Sequence, residues 1–235
     1  MLNSCFRDNI FSEKKILITG CTSGIGLHVA TLLSSLGCSL LLVGRNQVKL
    51  DQLISKLSFS TRHSQLVVDL SVPGALFDLK SNIVEYGPLD GIFHSAGVGL
   101  IKPTKLITHE DINSVLSPSM YASFDISKLA CSNKVMSSNS SIVFMSSVSS
   151  LLGTSCMALY SASKGAIDSL SRSLAIELAP RKIRVNTIVS GAVETPMHEN
   201  LSSLLTAEML EDYRQRHPLG FGKPESLATA VTFLL

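Results

Sequence analysis

Charge is what this 235-residue sequence has least of: Asp, Glu, Lys and Arg supply 16% of it, against 45% apolar residues. That balance excludes intrinsic disorder and implies large buried or subunit-facing surfaces. The net charge of +2 is too small to point to a nucleic-acid or anionic-membrane partner. No apolar run approaches the roughly 18 residues that cross a bilayer. The N-terminal stretch carries Arg7, Asp8, Glu13 and Lys14 and has no apolar signal core, so secretion is not indicated and a cytoplasmic location is expected. Paired cysteines are missing as well. The five, at positions 5, 21, 38, 131 and 156, contain no CxxC and are odd in number. This argues against a disulfide framework or a metal site and for reduced thiols. Cys156 is close in sequence to Tyr160, where a packed thiol is a plainer reading than a reactive one. Repeats, low-complexity tracts and interior linkers are also absent, so residues 1–235 read as a single α/β domain.

What is present is an alternation of short apolar runs and helical spacings. Lys14-Lys15 leads into Ile16–Thr19, a buried parallel strand. TGCTSGIG follows at 19–26, and a helical run over 27–36 ends at Gly37. Strand, glycine turn and helix in that order make a phosphate cradle. Gly20, Gly24 and Gly26 let the backbone come close, and the helix N-terminus attracts the anion. The spacing is G-x-x-x-G-x-G rather than the G-x-G-x-x-G fingerprint. A tight turn needs glycine with no ligand at all; the position after the first strand favours the cofactor.

A strand over 39–43 ends in Gly44-Arg45-Asn46. At this place an acid would hold the adenosine 2′-hydroxyl; Arg45 offers instead a guanidinium suited to a 2′-phosphate. NADP(H) is therefore expected over NAD(H), although a solvated arginine at a strand end would look the same. A third strand, 65–68, is closed by Asp69-Leu70. Asp69 has two readings, as acceptor from an adenine amino group and as cap of the next helix. A helix over 72–86 and a strand over 89–93 run into His94-Ser95-Ala96-Gly97, small residues against which a cofactor can lie. His94 reads as a structural strand-end histidine before a catalytic base. Helical spacing over 108–136 predicts a helix with a break at Pro118, and Asn139-Ser140 turns the chain into a strand at Ile142–Met145.

Ser147 stands just past that strand, and Tyr160 and Lys164 follow, the last two four residues apart. That spacing puts them on one face of a helix. A fixed positive charge favours the phenolate and lowers a tyrosine pKa that is ordinarily about 10. Ser147 can then hold a substrate oxygen while Tyr160 exchanges a proton with it. The helix runs to Leu178, a strand follows over 183–189, and then Ser190-Gly191. The Leu- and Met-rich segment from Thr195-Pro196 to His217 suits a lid over a partly apolar substrate and equally an amphipathic surface helix. After a last helix the sequence stops in the apolar run Val231–Leu235, from which we expect the natural protein to continue.

With the glycine turn and the Ser147, Tyr160, Lys164 set both in view, the chain resembles the short-chain dehydrogenase/reductases from Lys15 to Leu235. TGCTSGIG at 19–26, VDL at 68–70, HSAG at 94–97, SSVSSLLG at 146–153, YSASK at 160–164 and IRVNTIVSGAVETPM at 183–197 carry the likeness, nearest in pattern to 3-oxoacyl-carrier-protein reductase-like members. It implies a doubly wound (Rossmann) parallel sheet with helices on both faces, and a seventh strand after the last helix. It implies Gly20, Thr22, Ser23, Gly24, Ile25 and Gly26 at the pyrophosphate, Arg45 at the 2′-phosphate, and Asp69 and Leu70 at adenine. Ser95, Ala96 and Gly97 would lie beside the cofactor, Tyr160 and Lys164 at the nicotinamide ribose, and Gly191, Val193 and Thr195 at the carboxamide. Tyr160 would be the acid or base, Ser147 the orienting hydroxyl, and Lys164 the cation that lowers the tyrosine pKa. Ser119 takes the place of an asparagine that helps relay protons behind the lysine, with Pro118 supplying the kink.

Three further departures accompany Ser119. His94 and Ser95 replace two asparagines, Ser190 replaces a proline, and no basic residue stands in the glycine turn, so Arg45 alone carries the NADP(H) reading. The implied activity interconverts a ketone and a secondary alcohol, with a small-molecule carbonyl or alcohol as substrate and a homotetramer or homodimer as assembly. The alternative is an NADP(H)-sensing regulatory protein without catalysis. His94, Ser95 and Ser119 favour it, and the retained Ser147, Tyr160 and Lys164 oppose it. An acyl-carrier substrate would call for a basic patch, to which Arg181 and Lys182 could contribute, while residues 137–141 are uncharged.

Overall fold

A computed structural model describes residues 5–78 and 80–235. Strands β1 (Lys15–Thr19), β2 (Ser39–Gly44), β3 (Ser64–Val67), β4 (Leu89–His94), β5 (Met136–Ser147) and β6 (Arg184–Ser190) form one parallel sheet in the order β3-β2-β1-β4-β5-β6. The intervening helices are α1 (Gly24–Ser35), α2 (Gln47–Ile54), α3 (Ala75–Asp78), α4 (Lys80–Tyr86), α5 (His109–Leu116), α6 (Ala122–Ala130), α7 (Ala158–Leu178), α8 (Pro196–Ser202), α9 (Ala207–Gln215) and α10 (Pro224–Leu234). The seventh strand implied by the resemblance has no counterpart among the described residues.

The central strands read as continuous apolar runs because helices cover both faces. Successive side chains point to opposite sides. Leu17, Leu41, Ile92, Ile142 and Phe144 therefore enter one core with Ile126 of α6 and Ile167 and Leu174 of α7. Ile16, Ile18, Leu42, Phe93 and Val143 enter the other with Val29 and Leu33 of α1 and Val231 of α10. The sheet order reverses between β1 and β4, and such a switch point leaves a crevice at the carboxyl ends of the strands.

Four expectations are corrected. Pro118 does not break the helix. A π-turn, Ser117–Tyr121, joins α5 to α6, and the wider turn accommodates the missing N–H and the ring. The helical stretch ends at Ala130, not Met136, which is already in β5. Strand β5 starts before Asn139, which adopts φ 60° as the β4–β5 register shifts between Leu89 and Gly91. Asn tolerates this left-handed conformation, so the irregularity sits inside the strand. The helix expected over 72–86 begins only at Ala75, after Gly74 at φ 85°, and Leu79 within it lies outside the described residues.

Candidate active site

A cleft of about 460 Å³ opens at the carboxyl ends of β1, β4, β5 and β6. Gly20, Gly24 and Gly26 form one wall. A Cβ on Gly26 would sit 2.2 Å from the Gly20 carbonyl oxygen, and one on Gly20, at φ 68°, 2.8 Å from the Ala96 nitrogen. Any side chain at either place would force the turn away from the end of β4. Ser23 precedes α1 without a side-chain cap, and residues 24–26 line the cleft, so the helix N-terminus is open to an anion there. A glycine wall and an uncapped helix start suit the pyrophosphate of a nicotinamide cofactor. Beneath them the Cys21 thiol, fully buried, donates to the Val43 carbonyl at 3.5 Å, and burial pushes its pKa up to about 12.

Ser147 ends β5, and its Oγ accepts from the Ser149 N–H at 3.2 Å. Tyr160 lies in the first turn of α7, and Lys164 one turn further on. All three line the cleft. Lys164 is 5% exposed, and its ammonium donates to the Met145 carbonyl at 2.9 Å and stands 5.7 Å from the centre of the Tyr160 ring. Burial draws the Lys164 pKa down to about 8, and Asp168 opposes that fall. Burial raises the Tyr160 pKa, against a hydrogen bond with Ser147. The expected lowering by Lys164 is not found: the ammonium is turned to a β5 carbonyl, and desolvation of the phenolate dominates.

Behind Lys164 lies a closed hydrogen-bond chain. His94 Nε2 meets the Ser119 carbonyl at 3.2 Å, and Nδ1 meets Thr19 Oγ1 at 2.7 Å. A carbonyl can only accept, so Nε2 carries the proton and Nδ1 accepts from the Thr19 hydroxyl. Thr19 Oγ1 in turn accepts from the Ala96 N–H at 3.3 Å, and Ser95 Oγ donates to the Thr19 carbonyl at 2.9 Å. His94 is wholly buried; burial, with Lys164 nearby, lowers its pKa to about 3, so the ring is neutral and has no nitrogen free for base catalysis. The Ser119 hydroxyl donates back along the helix to Val115 at 2.5 Å and does not reach the cleft.

The structure brings Gly20, Ser23, Gly24, Ile25, Gly26, Ser95, Ala96, Gly97, Ser147, Tyr160, Lys164, Gly191, Val193 and Thr195 to one cleft. It does not bring Thr22, Arg45, Asp69, Leu70 or Ser119 to its lining. Leu70 is packed in the core. Arg45 and Asp69 are exposed at the ends of β2 and β3. Asp69 accepts from the Ser71 N–H at 2.9 Å, and the Ser71 bonds, more than nearby Arg45, hold its carboxyl below the usual range. That bond closes a local turn well ahead of α3, which begins at Ala75, so Asp69 does not cap the next helix as one of its two readings had it.

Sequence reasoning offered the far wall as a lid in one of two readings and missed its ring cluster. His198, Tyr213, His217 and Phe221 stack with centroid separations from 4.6 to 5.9 Å, joining α8, α9 and the loop beyond. His198, Tyr213 and His217 line the cleft with Met197 and Leu201, facing Leu152 and Met157. The segment from 195 to 217 thus contributes a wall of the cleft. Arg181, which could have contributed to a basic patch, is spent internally: its guanidinium donates to the Ala130 carbonyl at 2.7 Å and to the Met136 carbonyl. No described helix is long and apolar enough to cross a membrane.

Comparison with known proteins agrees with this geometry. A family model described as Enoyl-(Acyl carrier protein) reductase matches residues 20–235. A 3-oxoacyl-[acyl-carrier-protein] reductase of Thermotoga maritima is 30% identical over 224 residues, covering 94% of this chain and 89% of the relative. A tropinone reductase homolog of Arabidopsis thaliana is 31% identical over 227 residues, covering 94% and 84%. The crystal structure of a glucose/ribitol-type short-chain dehydrogenase/reductase from Brucella melitensis superposes with a TM-score of 0.84 at 28% identity, covering 97% of this chain and 91% of that one. The matched family model, the reductase relatives and the shared parallel sheet together establish that the chain belongs to the short-chain dehydrogenase/reductase family of oxidoreductases.

Proposed function

We propose that this protein interconverts a ketone and a secondary alcohol with NADP(H). The observation that carries the reading is the gathering of Ser147, Tyr160 and Lys164 in one cleft with the glycine turn. When bound, the nicotinamide supplies or accepts the hydride. Gly20 to Gly26 and the start of α1 would hold the pyrophosphate. Arg45 would hold the 2′-phosphate, with Thr22 beside Gly44 and Asp69 and Leu70 at the adenine end. Gly191, Val193 and Thr195 would hold the carboxamide, and Lys164 the ribose hydroxyls.

Ser147 orients the substrate oxygen, and Tyr160 gives it a proton in reduction or takes one in oxidation. Burial keeps the Tyr160 phenol protonated at neutral pH, the form that reduction requires. Leu152, Met157, Met197 and Leu201 favour an uncharged, partly apolar carbonyl compound. The inward-turned Arg181 weighs against docking of an acidic carrier protein. Exposed Phe124 on α6 and Ile176 on α7 offer apolar surface to a second copy, in keeping with a cytoplasmic homodimer or homotetramer.

Paired titrations with NADPH and NADH, then a ketone and alcohol panel followed by NADPH absorbance, test the reading. Tighter NADPH binding and turnover support it. Tighter NADH binding overturns the role of Arg45, and binding without turnover across a broad panel replaces the enzyme by a cofactor sensor.

A further inference from the structure

We propose that Asp168, one turn beyond Lys164 on α7, is the positioning residue that supports Lys164 by keeping its ammonium charged, whereas the family likeness places support of that lysine, as a proton relay, at the position of Ser119. The inference rests on the oxidoreductase reading of the site. It begins with what Ser119 can no longer do. Its carbonyl already accepts from Ser123 Oγ at 2.6 Å, from His94 Nε2 at 3.2 Å and from the Ala122 N–H. A carbonyl oxygen has two lone pairs, so no acceptor remains there for a water that would reach the lysine. The Ser119 hydroxyl proton is committed to Val115, and His94 uses both ring nitrogens.

Asp168 presents the opposite case. It is 8% exposed, and its Oδ1 has no hydrogen-bond partner. A buried carboxylate oxygen left this way is costly unless a cation faces it. Tyr160, Lys164 and Asp168 are four apart in succession and so share one face of α7. The lysine is buried, where desolvation favours the neutral amine, and the Asp168 charge acts against that loss. The ionisable groups that face Lys164 are Tyr160 and Asp168 on its own helix and neutral His94 from β4. Strand β5 offers the Met145 carbonyl and the Ser146 and Ser147 hydroxyls, and the π-turn offers Ser119. Asp168 is the anion of that set. It acts through Lys164: a charged lysine keeps all its donors for the Met145 carbonyl and the ribose hydroxyls, and Asp168 keeps it charged.

The test is a titration of the Lys164 side chain by NMR, following its ε-carbon and ζ-nitrogen in the intact chain, which needs no turnover. Asp168→Asn should lower the Lys164 midpoint by about one pH unit, while Ser119→Ala should leave it where it is. In turnover, Asp168→Asn should lose kcat at about pH 8 and recover it at about pH 6, with KM for the carbonyl substrate unchanged. An unchanged midpoint in Asp168→Asn, or a larger movement in Ser119→Ala, overturns the proposal. Should Asp168→Asn fail to fold, the wild-type Asp168 carboxyl carbon decides: a step at the Lys164 midpoint supports the pairing, and its absence overturns it. If no carbonyl compound is turned over, the oxidoreductase reading fails by itself and the titration still decides the role of Asp168.

Discussion

The two ends of the site are built on different terms. At the inner end, Thr19, His94, Ser95, Ala96 and Ser119 form a chain of oriented hydrogen bonds behind Lys164, and Gly20 and Gly26 leave no room for a methyl group. At the outer end, Arg45 and Asp69 stand exposed, and the hydrogen bond that orders Asp69 is to the local Ser71 N–H. The inner end therefore fixes where chemistry takes place, and each of its parts depends on the others. On the proposed reading, the outer end would leave the choice between cofactors to exposed side chains. Changes inside should be large and touch folding as well as rate; changes outside should be small and selective.

Substitutions can break or sharpen that contrast. Tyr160→Phe carries the largest expected effect, a loss of turnover of about a hundred- to ten-thousand-fold with cofactor affinity retained, measured by steady-state kinetics beside a fluorescence titration. Undiminished turnover would end the proposed mechanism. Gly26→Ala comes next: its Cβ meets the Gly20 carbonyl oxygen at 2.2 Å, so overpacking of about 1–3 kcal/mol is expected, with weakened cofactor binding. Denaturant unfolding measures it, and wild-type stability in the variant would show the inner end to be looser than described.

Arg45→Ala should weaken NADPH binding about ten- to a hundredfold while leaving NADH binding and the melting temperature alone. Equal loss of both cofactors would merge the two ends into one. The last effect is a dependence on pH. Buried His94 and His63 have pKa values lowered in the fold, by burial first in each case, so below the unfolded value of about 6.5 the unfolded chain takes up protons that the folded chain refuses. Their stabilising contribution is full above that value and is lost as pH falls, by up to about 1.4 kcal/mol per unit for each. For His94 the loss continues to a pKa of about 3. Unfolding free energies measured from pH 7 down to about pH 5 should fall more steeply in the wild type than in His94→Asn.

Periodicity made much of this legible. Tyr160 and Lys164 sharing a face, strands buried on both sides and the glycine turn all follow from spacing, because each depends on local geometry. Pro118 was read as a break because a missing N–H breaks an α-helix; a π-turn is another way to accommodate it and leaves no mark in the local pattern. Asn139 looked like a turn ahead of β5 for the same reason that it fits a left-handed place within it. The ring cluster of His198, Tyr213, His217 and Phe221 could not be foreseen, since its members come from two helices and a loop whose mutual approach is set by tertiary packing. The pKa of Tyr160 depended on a balance between burial and charge that spacing does not contain.

Cys21 offers a clock. Its sulfur lies under the glycine turn, and its high pKa leaves almost no thiolate in the closed state, whereas Cys5 and Cys131 are exposed. A thiol reagent should consume the exposed pair first and reach Cys21 only during openings of the β1–α1 turn. The rate at which the Cys21 thiol disappears, read by peptide mapping apart from buried Cys38, then measures how often the turn opens by itself, and any ligand that seats there should slow it in proportion to its occupancy.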